Sequence, residues 1–135
     1  MALTLDEKTR LCAVAADGRK ADDIVVLNVH PLSSVADHFL ICSGASDRQV
    51  KAIADAIDEQ LREHGERPLS IEGYQEASWI LIDCADLVIH IFDHDTRRFY
   101  DLERLWGRDE RVDIPGIAPS SAEALASPAV FVKKR

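Results

Sequence analysis

His90, Asp93, His94 and Asp95, four side chains able to bind a metal or carry a proton, fall within one six-residue stretch. A metal centre needs its ligands to converge on one point. Alternation along a strand instead sends His90 and Phe92 to one face and leaves His94 past the strand end. His90 therefore reads as a core or rim histidine, and Asp93 or Asp95 as a helix cap. Asp83 and Asp86 could form the carboxylate pair of a metal-assisted phosphoryl transfer. Their i, i+3 spacing is also that of a β-turn, where Asp is favoured because its carboxylate accepts from turn amides. Cys42-Ser43-Gly44, placed before a helix start, has the outline of an anion-binding loop. A single Gly falls short of a phosphate loop, and Cys42 reads as a small core hydrophobe. No catalytic set is assembled, so no enzyme activity, cofactor or metal is expected.

The large side chains point elsewhere. Trp79 opens a strand beside a turn, and Tyr100-Asp-Leu-Glu-Arg-Leu-Trp106 gathers two aromatics, two leucines and two acids into a short helical segment. Aromatic and apolar anchors ringed by carboxylates have the composition of a binding face for a basic protein. The competing reading is that Leu102, Leu105 and Trp106 staple the last helix to the sheet. Binding-face candidates are Trp79, Leu81, Asp86, Tyr100, Leu102, Glu103 and Trp106. Trp79 and Leu81 alternate onto one strand face, and the last helix borders it.

The elements that must position these residues follow from periodicity. Leu3 to Asp17 reads as a helix opened by a Thr4/Glu7 capping box and ended by Gly18 in the left-handed conformation, with Leu5, Leu11, Cys12, Ala15 and Ala16 packing inward. Asp23 to Val29 is a β-branched run without alternation, hence a strand covered on both faces. A turn at residues 30–34 leads to a second strand, His38 to Ser43, a link short enough to permit an antiparallel neighbour. Asp47 to about His64 is the clearest helix, with Ser46 and Gln49 as capping box, Val50, Ile53, Ala54, Ile57 and Leu61 as one buried stripe, and Gly65 then Pro68 as the stop. Leu69 to Glu72, Ser78 to Asp83 and Leu87 to Phe92 form an antiparallel meander. A short helix around Phe99 to Trp106 closes the set. The expected fold is α/β: a mixed sheet of about five strands with helices packed on it.

At 135 residues the chain suits one domain, 1–108, followed by a polar, Pro-containing extension, 109–135. With 47% hydrophobic and 30% charged residues it falls in the globular class, outside the disordered one. A formal charge of −8 repels phosphate backbones and anionic lipid, which argues against unaided nucleic-acid binding and for a basic partner. The asymmetry is internal: residues 1–111 carry net −9 and residues 112–135 net +1. Three widely spaced cysteines, Cys12, Cys42 and Cys84, suggest neither a disulfide framework nor a zinc ribbon, and a reducing cytoplasm is expected. No membrane segment is expected, because no apolar run approaches 18 residues.

Several motifs occur in a telling order: Ala36-Asp-His-Phe-Leu-Ile-Cys-Ser-Gly-Ala-Ser-Asp-Arg-Gln-Val-Lys-Ala-Ile-Ala54, Ile71-Glu-Gly73 with Trp79, Asp86-Leu-Val-Ile-His-Ile-Phe92, and Arg98-Phe-Tyr-Asp-Leu-Glu-Arg-Leu-Trp106. Over about Ala21 to Gly107 the chain resembles the ribosomal silencing factor, or Iojap, family. Departures are His38 where Tyr is common, Cys84-Ala85 where Tyr-Gly often precedes Asp86, and a longer tail. The resemblance implies a nucleotidyltransferase-like sandwich and a translation regulator. It implies binding to the large ribosomal subunit through universal large-subunit ribosomal protein fourteen, steric exclusion of the small subunit, and a homodimer when free. The alternatives are an enzyme, whose Gly-Ser pair and paired carboxylates are not recognisable here, and a free-standing dimeric adaptor.

Overall fold

A computed structural model describes residues 3–29, 36–105, 111–112, 114 and 117. Their elements are α1 (Leu5–Gly18), β1 (Asp22–Asn28), β2 (His38–Gly44), α2 (Asp47–Glu63), β3 (Ser70–Glu72), β4 (Trp79–Asp83), β5 (Leu87–Asp93), α3 (His94–Tyr100), α4 (Leu102–Leu105) and β6 (Arg111–Val112). The strands form one mixed sheet in the order β3-β4-β5-β2-β1-β6. The β3-β4-β5 meander and the β1–β2 pair are antiparallel, as the short connections require. β2 and β5 run parallel, and the intervening α2 supplies the long crossover that a parallel pair needs. The mixed α/β architecture read from the sequence therefore stands. Arg111–Val112 adds a sixth strand by pairing with Leu27 and Val26, so part of the segment read as an extension joins the sheet.

Alternation divides the sheet into two differently covered faces. On one, Ile24, Val26, Leu40, Cys42, Ile80, Ile82, Leu87, Ile89 and Ile91 meet α1 and α2, whose Cys12, Ala13, Ala16, Val50, Ile53, Ile57 and Leu61 are buried there. The α2 stripe is the one its 3.6-residue period dictates, and each buried Ile or Leu contributes about 1.5–3 kcal/mol. On the other, Val25, Leu27, Phe39, Ile41, Val88 and Phe92 form a second cluster with Leu102 of α4, and Trp79 and Leu81 pack at its margin.

The caps are local chemistry. Thr4 and Glu7 form the full capping box. At α2, Ser46 accepts from the Gln49 amide, but the Gln49 side chain accepts from Ala45 rather than from Ser46. The expected left-handed Gly18 is corrected: Gly18 stays helical, and Lys20 takes the positive φ of 61° after the Arg19 cap. α1 also buries Lys8 and Thr9, polar residues absent from the expected packing face, because each finds a partner beneath it. The terminal helix begins earlier than expected, at His94, and breaks at Asp101 (φ 48°) into α3 and α4. The turn at residues 30–34, Trp106 and most of the segment 109–135 lie outside the described residues.

Candidate partner-binding face

The face opposite α1 and α2 collects most of the candidate residues. β4 is paired with β5 so that Trp79 lies beside Phe92 and Leu81 beside His90. Gly73 fixes where that strand begins: it has a φ of 80°, and a Cβ there would lie 2.2 Å from the Trp79 carbonyl oxygen. The half-buried Trp79 ring packs 4.9 Å from Phe92 and 4.7 Å from Tyr100, centroid to centroid. Tyr100 in turn meets Phe99 edge-on at 5.0 Å. The ladder runs outward, from buried Phe92 through Trp79 to Tyr100, 48% exposed, and Phe99, 80% exposed. Leu105 of α4 is 71% exposed.

Two polar side chains hold the helices against the sheet. Asp93 caps α3 by accepting from the Thr96 amide at 2.7 Å. Arg97, buried, donates to Ser43 Oγ at 2.7 Å, to the Asp22 carbonyl at 3.3 Å and to Glu103 Oε2 at 2.7 Å. A cavity of about 510 Å³ lies beside this arginine, walled in part by Asp22, Asp23, His94 and Asp101. Around it His94 Nε2 lies 2.9 Å from Asp22, Arg98 pairs with Asp95, and Arg97 pairs with Glu103.

The candidates are thus not one patch. Trp79, Leu81 and Tyr100 share the face. Leu102 belongs to it but is buried in the second cluster, where it anchors α4. Glu103 is at its edge with its carboxylate committed to Arg97. Asp86 lies at the opposite end of the β4–β5 hairpin from Trp79, where it accepts from Lys8 Nζ at 2.9 Å, and its carbonyl accepts from the Asp37 and His38 amides. The contacts found for Asp86 tie α1 and β2 to this turn. Trp106 lies outside the described residues. Phe99 and Leu105, the exposed apolar side chains of this region, were not among the candidates. No pattern in the sequence marks them: α3 turns Arg97 inward and Phe99 outward, the reverse of hydrophobic patterning.

The chemical alternatives find little support. Asp83 accepts from the Ala85 amide at 2.9 Å, the turn role expected of it. Among the described residues no cluster of His, Cys, Asp or Glu has a metal-binding arrangement. The three thiols are buried, and burial pushes Cys42 up to about 12 and Cys84 up to about 11, leaving them protonated and unreactive. At the start of α2 the Ala45 and Gln49 amides are already satisfied by Gln49 and Ser46. No helix is long and apolar enough to cross a membrane among the described residues.

The profile of the family described as "Ribosomal silencing factor during starvation" matches residues 2–134. The chain belongs to the ribosomal silencing factor family. It is 45% identical over 105 residues to the ribosomal silencing factor RsfS of Bacillus subtilis, covering 78% of this chain and 89% of that one. Among solved structures of similar proteins, one from Chromobacterium violaceum superposes with a TM-score of 0.76 at 31% identity, covering 92% of this chain and 100% of that one. Another, from Bacillus halodurans, gives 0.69 at 41% identity over 77% and 94% of the two chains. Family membership thus accords with the motif order seen in the sequence.

Proposed function

We propose that this chain binds the large ribosomal subunit through universal large-subunit ribosomal protein fourteen, on the surface that meets the small subunit, and represses translation by blocking subunit joining. The observation that carries the reading is the outward aromatic ladder Trp79–Tyr100–Phe99 on the face that α1 and α2 leave uncovered, together with the exposed Leu105 of α4. Blocking requires no bond to be made or broken. It requires a specific patch of roughly 800 Å² per partner and a domain bulky enough to exclude the other subunit. The net charge of −8 favours a basic ribosomal protein and disfavours bare RNA. No metal or cofactor enters this reading.

The free protein is proposed to be a cytoplasmic homodimer. β5, the last strand of the meander, lies between β4 and β2 and offers no free edge to a second copy. β3 ends the sheet, with Leu69 71% and Ile71 38% exposed, and is the better edge for a second copy. A monomeric mass by light scattering at high micromolar concentration would argue against the dimer.

Sucrose-gradient sedimentation of ribosomal subunits with added protein tests the main reading. The expected result is co-migration with the large subunit and fewer joined ribosomes. Free protein at the top of the gradient with unchanged joining would overturn it.

A further inference from the structure

His90 stands out among the buried polar groups. It is 4% exposed, and its Nε2 is a buried side-chain atom with no hydrogen-bond partner among the described residues. Its other nitrogen is engaged: Trp79 Nε1 donates to His90 Nδ1 at 3.1 Å. An indole N–H can only donate, so Nδ1 must accept and the imidazole proton must sit on Nε2. Among the described residues nothing accepts that proton. The ring is otherwise held by aromatics, edge-on to Phe39 at 4.6 Å and stacked beside Phe92 at 6.2 Å. Phe or Leu would fill such a space without stranding a donor, so His90 carries a cost that packing does not explain.

We infer that His90 is a positioning residue: through the Nδ1 contact it holds the Trp79 indole on the sheet, and through the indole it sets the Tyr100 ring at the head of the exposed ladder. The bond crosses diagonally between strands, because Trp79 is in register with Phe92 and His90 with Leu81. A diagonal tie fixes the indole about its side-chain torsions, which apolar packing alone leaves less defined. Tyr100 then rests 4.7 Å from a ring that does not move, and Phe99 rests on Tyr100. An anchor ordered before binding does not need to be ordered during it. This role in affinity rests on the face being the partner-binding surface proposed above; the internal geometry does not.

Nuclear magnetic resonance on the free full-length chain tests the geometry, and large-subunit binding tests its consequence. Long-range ¹⁵N correlation at neutral pH is expected to show the Nε2–H tautomer of His90. In His90→Phe the Trp79 indole N–H should shift, exchange at least about tenfold faster, and lose its cross-relaxation with Tyr100, while the urea midpoint is kept or raised. His90→Gln, which offers a side-chain carbonyl as acceptor, should restore the indole signal. Affinity for the large subunit should fall about tenfold in His90→Phe and recover in His90→Gln. An Nδ1–H tautomer, or an unchanged indole resonance and Trp79–Tyr100 contact in His90→Phe, overturns the assignment. The tautomer alone decides it if His90→Phe does not fold. Lack of large-subunit binding by the unsubstituted protein would instead sink the functional reading, and the resonance results would still decide the role of His90.

Discussion

Arg97 and Glu103 face each other at 2.7 Å across the left-handed break at Asp101, with side chains only 10% and 12% exposed. The pair explains why two short helices, seven and four residues long, keep a fixed angle that their own hydrogen bonds could not maintain. Arg97 also reaches Ser43 at the end of β2, so a single guanidinium ties α3, α4 and the sheet together. The exposed side chains of the aromatic ladder are carried by this corner.

Glu103→Gln is accordingly expected to lower stability. It leaves the Arg97 charge buried without its counter-charge, at a cost of about 3 kcal/mol. Replacing both partners with apolar residues, Arg97→Met with Glu103→Leu, should recover much of that loss, because no buried charge remains. Urea denaturation of Arg97→Met, Glu103→Leu and the double variant measures the coupling. A stable Glu103→Gln whose association with the large subunit is slowed would instead assign Glu103 to the binding face.

Asp86→Asn should also be read first in stability. Burial of Lys8 opposes its charge, but the hydrogen bond from Lys8 to Asp86 and the charges of Asp86 and Glu66 outweigh this and raise the lysine above its ordinary range. A raised lysine contributes stability that is fully present below its unfolded value and is lost as pH climbs through the folded one. Asp86→Asn removes the leading favourable interaction, so its deficit should be evident at pH 7 and shrink towards strongly alkaline pH. Thermal denaturation from pH 7 to 11 follows this. A deficit confined to ribosome binding, with no loss of stability, would contradict the structural role.

His90 predicts the acid limb. Burial holds it down to about 4 from an ordinary value near 6.5, and Trp79, Phe39 and Phe92, the rings packed on it, carry no charge. The folded chain therefore binds fewer protons here than the unfolded chain, and stability falls with pH through the window from about 6.5 to 4. The loss should reach about 2 kcal/mol by pH 5 and about 3 kcal/mol below pH 4. His38, pushed down by burial and partly restored by Asp6, Asp37 and Asp86, adds in the same direction. Urea midpoints measured at pH 7 and 5 should converge less in the parent chain than in His90→Phe, which lacks the His90 contribution. An equal drop in both proteins would count against the assignment.

The legible parts of this fold are those in which local signals and burial agree. In α2 the cap, the stripe of Val50 to Leu61 and Gly65 all state the same helix, and the meander strands carry their own turns. Pairings between distant segments were harder to read. Nothing in the residues of β2 and β5 specifies their parallel contact, which depends on where α2 returns the chain. The corner at α3 and α4 departs from the single short helix expected around Phe99 to Trp106: its first helix buries Arg97 and exposes Phe99, so hydrophobic side chains do not mark the face that packs. Asp86 and Glu103 were read as partner-facing acids because a sequence shows charge without showing the Lys8 or Arg97 that meets it. Trp79 and Leu81 share a face because strand alternation is a strong rule, and α3 brings Tyr100 against Trp79.

The last expectation separates surface from support within the ladder. Phe99 is 80% exposed and Leu105 71%, so Phe99→Ser and Leu105→Ser should change stability by no more than about 0.5 kcal/mol. If these side chains are anchors in a partner's pocket, each truncation should cost about 1–3 kcal/mol of binding, roughly 5- to 150-fold in affinity. Trp79→Ala removes contacts with Phe92, Tyr100 and His90 at once, so it should lower both stability and affinity. Large-subunit co-sedimentation alongside circular dichroism resolves the two classes. Folded Phe99→Ser and Leu105→Ser proteins that bind as tightly as the parent, with Trp79→Ala losing binding only in proportion to its unfolded fraction, would show that the ladder serves the fold and that the partner docks elsewhere.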